Sequence, residues 1–134
     1  MRANYLVGLD LGQVRDPTAL AVLERAELKG EFDGMVFAWR KEVAWRLRYL
    51  ERVKLGTAYP EIVERVRELT RSKALEGRTE VVADATGVGR PVVELLKRGD
   101  LGCGVTAVTI TGGEMETQAD GYYRVPLSAR AARS

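Results

Sequence analysis

Histidine is absent from this 134-residue chain, and cysteine occurs once, at Cys103. Without an imidazole there is no Ser–His or Cys–His nucleophile pair, no histidine general base and no mixed histidine zinc site. A lone thiol closes no internal disulfide and builds no cysteine zinc cluster, so a reducing, cytoplasmic compartment is expected. Long apolar runs are lacking too. The opening "MRANYLVGLDLG" is far shorter in its apolar part than a signal-peptide core, and nowhere do about 20 apolar residues follow one another. The expectation is a soluble protein that stays inside the cell and has no membrane partner. An excess of one charge sign is lacking as well: 21 basic and 19 acidic residues leave a net charge of only +2. Attraction for a phosphate backbone must then come from a local patch. Sixteen of the 21 basic residues are arginine, which a GC-rich genome produces as readily as phosphate recognition does.

What is present suits one globular domain. Hydrophobic residues make up 46% and charged residues 30%, ordinary values for a chain that buries a core. Residues 5–10 read as a buried strand ended by Gly12 and the "QVRDP" turn. "TALAVLERAEL" follows as a second strand from Thr18 to about Glu27. "KGEFDGMVFAWRKE" looks like a hairpin tip leading into a third strand. "GTAYPEIVERVRELTRSKAL" then changes period: Ile62, Val63, Val66 and Leu69 fall at helical spacing, Pro60 suits a first turn, and Glu61 with Arg65 forms an i,i+4 pair. "VVADA" is the next strand, "TGVGRPVVELLKRG" a turn and short helix stopped by Gly99, and "GVTAVTI" the last strand. The expected fold is α/β: a mixed five-stranded sheet, built as a three-strand meander followed by helix, strand, helix, strand. The domain spans residues 1–112, and residues 113–134 read as an irregular tail.

Within "WRLRYLERVKL", Trp45, Leu47, Tyr49, Val53 and Leu55 share one parity, while Arg46, Arg48, Arg52 and Lys54 share the other. This predicts one apolar face and one basic face. The basic face could track a DNA backbone; the plainer alternative is a solvated surface. Trp39 and Trp45 read as core or hairpin packing rather than base-stacking platforms.

Two aspartates stand at strand tips. Asp10 ends the apolar run "YLVGLD", and Asp84 ends "VVAD". In this element order the first strand can lie beside the fourth, which would set the two carboxylates next to each other. Such a pair repels unless a cation bridges it or one member takes up a proton, and all-oxygen ligation suits Mg2+ or Mn2+. A divalent ion there could activate water and stabilise a phosphodiester transition state. Either aspartate could instead cap a turn, Asp84 before "ATGVGRP" in particular. Asp16, in "RDPT", is a turn starter and at most an outer-shell residue. The glycines of "TGVG" would allow backbone close to phosphate, although neither a dinucleotide fingerprint nor a Walker A loop is present.

The blocks "GLDLGQVRDPTALAVLE", "LERVKLGTAYPEIVERV" and "VVADATGVGRPVVELL", in this order, resemble the nuclease domain of phage terminase large subunits, a branch of the RNase H-like superfamily. The resemblance covers about residues 5–126. It implies an RNase H-like sheet and a Mg2+- or Mn2+-dependent endonuclease that cuts double-stranded viral DNA during packaging in a prokaryotic host. The metal-binding acids on the first and fourth strands would be Asp10 and Asp84, with terminase or portal components as partners. The family has a further helix-rich segment after the "GYYRVP" region and a third acid near its end. Here "VPLSARAARS" follows instead, which reads as a frameshift or truncation and leaves Glu114, Glu116 and Asp120 as substitutes. The expectations are a nuclease domain of low or no activity, one sheet face left partly bare, and self-association through that face. A Holliday-junction-type resolvase, a phosphate-binding lobe of the actin-like kind and a non-catalytic DNA- or partner-binding remnant are the rival readings.

Overall fold

The computed structural model describes residues 3–12, 15–112, 117–119 and 121–126. Strands β1 (Tyr5–Asp10), β2 (Ala19–Asp33) and β3 (Ala38–Arg52) form the meander. Helix α1 (Tyr59–Thr70), β4 (Thr79–Asp84), α2 (Arg90–Lys97) and β5 (Val105–Thr111) follow, and then β6 (Thr117–Ala119) and β7 (Tyr122–Pro126). The chain is thus mixed α/β, with one seven-stranded sheet in the order β3-β2-β1-β4-β5-β7-β6. β1, β4, β5 and β7 run parallel to one another, and β2, β3 and β6 pair antiparallel.

Two strands more are present than the five expected. The run "YYRVP" pairs parallel to β5, from Ala107–Tyr122 to Thr111–Pro126, and "TQA" pairs back onto it. The stretch taken for an irregular tail therefore extends the sheet. Its strands are three and five residues long, too short to display a period, although paired tyrosines after Gly121 are good strand formers. Glu114, Glu116 and Asp120 lie outside the described residues.

Alternation along the central strands decides where the core forms. Val7 and Leu9 on β1, Leu20 and Val22 on β2, and Val81 and Ala83 on β4 are buried and share one face. Ile62, Val63 and Val66 of α1 and Val92, Val93 and Leu96 of α2 close over that face and complete the same cluster. Pro60 occupies the first turn of α1, and no side chain caps it. Gly99 after α2 has its place for steric reasons, since a Cβ there would come within 2.5 Å of Val63 on α1.

Arg65 ties α1 to β3. Its guanidinium donates to both oxygens of Glu51, at 2.7–3.1 Å, and to the Tyr49 hydroxyl at 3.2 Å. It also pairs with Glu68 at 2.9 Å. The expected i,i+4 partner Glu61 is displaced by Glu51, because a fixed bidentate acceptor across the packing seam competes better than a solvated neighbour. Hydrogen bonds from Arg65 and then Tyr49 hold the Glu51 carboxyl below its ordinary range.

Candidate metal centre

β1 and β4 are neighbours in register. Asp10 is the cross-strand partner of Asp84, just as Val7 is of Val81. Residues directly opposite in a ladder project to the same side, with strands about 4.8 Å apart. The two carboxylates therefore emerge together at the carboxyl ends of two parallel strands, on the face opposite the helices. Asp10 is exposed and Asp84 half-buried.

The backbone beyond the pair is pinned from both sides. The Leu11 amide donates to the Asp84 carbonyl at 3.1 Å, and the Ala85 amide to Val108 at 2.8 Å. Oδ1 of Asp84 accepts from the Thr86 amide at 3.1 Å and from its hydroxyl at 2.6 Å, while the Thr86 oxygen accepts from the Ile110 amide at 3.0 Å. Asp84 is thus also a turn residue, as the alternative sequence reading held.

On the β1 side, Gly12 accommodates a loop that folds back on it. A Cβ there would lie 1.9 Å from the Asp16 carbonyl oxygen, so no other residue fits without movement. The Gly12 amide donates to the buried Thr18 hydroxyl, and its carbonyl accepts from Tyr59, both at 3.0 Å. Asp16 lines a different cleft, of about 280 Å³, with Lys54, Gly56 and Tyr59.

The basic stripe does not survive the register. β3 bulges between Leu47 and Tyr49, whose partners Leu23 and Val22 are consecutive on β2. The extra residue, Arg48, reverses the parity on either side. Arg46 pairs opposite Glu24, and Arg48 makes a 3.5 Å ion pair with that same Glu24, both on the helix side. Arg52 pairs opposite Ala19, itself the partner of Asp10, and so stands in the row of the acid pair two strands away. Lys54 follows the end of β3. Leu47 and Leu50, which had opposite parity, now share the helix-free face, 58% and 65% exposed. A bulge leaves no mark on composition, so parity counting missed it.

The acid pair borders an open groove of about 400 Å³ lined by Gly8, Ala21, Leu50 and Val82. Among the described residues, no cluster of three or more acids, cysteines or histidines is disposed to hold a metal ion. The "TGVG" turn, with Gly87 and Gly89 at positive φ, opens a separate cleft on the helix side. There Arg90 and Lys97 stack on the Tyr122 ring at 4.5 and 4.1 Å. The Tyr122 hydroxyl donates to Glu94 and lowers its pKa. Burial pushes the Cys103 thiol up, away from reactivity. Among the described residues, no helix is long and apolar enough to cross a membrane. Compared with known protein families and with curated proteins, the chain matches none.

Proposed function

We propose that the chain is a divalent-metal-dependent DNA endonuclease domain related to those of viral packaging terminases, with Asp10 and Asp84 sharing a Mg2+ or Mn2+ ion. The observation that carries this reading is their direct cross-strand pairing at the ends of two parallel strands. A hard cation fits this donor set: two carboxylates side by side, oxygen ligands only, at the rim of an open groove. When bound, such an ion activates water and neutralises charge on a phosphodiester. The protein's own part is to hold the two acids in place. The Leu11–Asp84 backbone bond fixes their relative height, and the Thr86 turn fixes the rotamer of Asp84.

Double-stranded DNA is the proposed substrate. Arg52, in the same row as the acids, is the basic residue suited to hold a phosphate near them, whereas Arg46 and Arg48 lie on the opposite face. Plasmid nicking in Mn2+ tests the reading. Activity should fall at least to background in Asp10→Asn and Asp84→Asn, and Arg52→Ala should weaken DNA binding more than Arg46→Ala does. Cutting that is unchanged in both aspartate variants would remove the proposal. Preference for a four-way junction over linear duplex would turn it toward a resolvase.

One observation favours a second reading, a non-catalytic DNA- or partner-binding domain: Asp84 already serves a turn, and the described residues offer only two clustered acids. That reading is distinguished by DNA affinity without metal-dependent cutting, unaltered in Asp10→Asn.

A further inference from the structure

The β2–β3 pair continues past the edge of the sheet. β1 pairs with β2 only along Ala19–Glu24, and Asn4 accepts one more bond, from Arg25. Beyond it, Ala26–Asp33 and Ala38–Ala44 have only each other as ladder partners among the described residues. At about 3.4 Å per residue this ribbon reaches roughly 25 Å beyond β1. A free two-stranded ribbon is marginal in water, and the tip of this one is apolar and open: Met35, Val36 and Phe37 are 95%, 70% and 85% exposed. Phe32 packs edge-on against Phe37 and Trp39, with centroids 5.6 and 5.3 Å away, which stiffens the tip. Lys29 and Lys41 stand directly opposite each other on the ribbon, and the Lys29 ammonium lies over the Trp39 ring at 4.3 Å.

The helix-free face of the sheet complements this arm in two respects. Across β3 to β5 it is roughly 20 Å wide, within the arm's reach. Its middle is apolar, with Leu6, Leu23, Leu47, Leu50 and Val82 on the side that, among the described residues, no helix covers, although parallel strands are normally covered on both faces.

We infer that two copies of the chain exchange arms, each β2–β3 ribbon lying across the helix-free face of the other. The apolar tip rests on the apolar middle. Each copy has one arm and one face, so the contact closes after two chains. The strong twist of a two-stranded ribbon lets it wrap rather than stay in the plane of its own sheet. This inference does not rest on the nuclease reading, and it is tested in chelator, where no metal chemistry intervenes.

Sedimentation of the full chain at micromolar concentration should give a dimer. Val36→Asp together with Phe37→Ser, at the exposed tip, should raise its dissociation constant by about tenfold or more, and so should Leu50→Glu on the face. In a Cys103→Ser background, a Val36→Cys chain mixed with a Leu50→Cys chain should form a mixed disulfide-linked dimer on mild oxidation. Val36 and Leu50 of one chain lie about 45 Å apart along β3, so the bond cannot form within a chain. A monomer, or a dimer that neither crosslinks in this way nor responds to the tip variants, would overturn the inference; a monomer that captured DNA on this face would do so as well.

Discussion

The two faces of the sheet are built from the same strands, yet they behave as different materials. On one, Val7, Leu20, Val22 and Val81 are sealed under two helices. On the other, one residue along each strand, Leu6, Ala21, Leu23 and Val82 are only half-buried, and the paired charges at the strand tips are acidic. Alternation alone makes the two faces; what differs is cover. The covered face stores the stability, and it is for the bare face that chemistry and contacts are proposed.

Substitution can break this contrast. Leu96→Ala, at a fully buried position under the sheet, should cost about 2–5 kcal/mol in denaturant unfolding. Leu50→Ala on the bare face should cost under about 0.5 kcal/mol when the chain is held monomeric. Equal losses at the two positions would show that the second face is not bare in solution. Gly12→Ala comes next: its Cβ must displace the Asp16 carbonyl, at about 1–3 kcal/mol. A Cβ added at Gly8, on the open face, would come no nearer than 3.9 Å to a neighbouring atom, so Gly8→Ala should leave the melting temperature almost unchanged.

A smaller effect sharpens the comparison at the seam between β3 and α1. Glu51 has its carboxyl pKa lowered from 4.5 by Arg65 and Tyr49. A depressed carboxyl pKa contributes stability that is present above the unfolded value and is lost as pH falls through the folded one. Wild-type protein should therefore lose stability below about pH 4.5 more steeply than Glu51→Gln does. At neutral pH that substitution should cost on the order of 1 kcal/mol, since the pair is partly solvated. Parallel acid-unfolding curves for the two proteins would remove Glu51 from the account.

Much of this is legible in the residues alone. The apolar runs ending in Asp10 and Asp84, the 3.6-residue period of α1 and the element order are enough to put β1 beside β4, because connection rules leave few alternatives once a meander is followed by helical crossovers. The rest is hidden for physical reasons. One bulged residue, Arg48, moves Arg46 and Arg52 to opposite faces, and only pairing geometry reveals it. β7 is too short to show a period and is held by β5 rather than by its own pattern. The length of the β2–β3 arm depends on where β1 stops, information that lies in neither β2 nor β3.

The most direct test of the central claim is Mn2+ binding measured by calorimetry on the wild-type chain and on Asp10→Asn and Asp84→Asn. The account predicts saturable binding that either substitution weakens by about tenfold or more. Binding that is absent from the wild type, or that survives unchanged when either carboxylate is replaced, would contradict it.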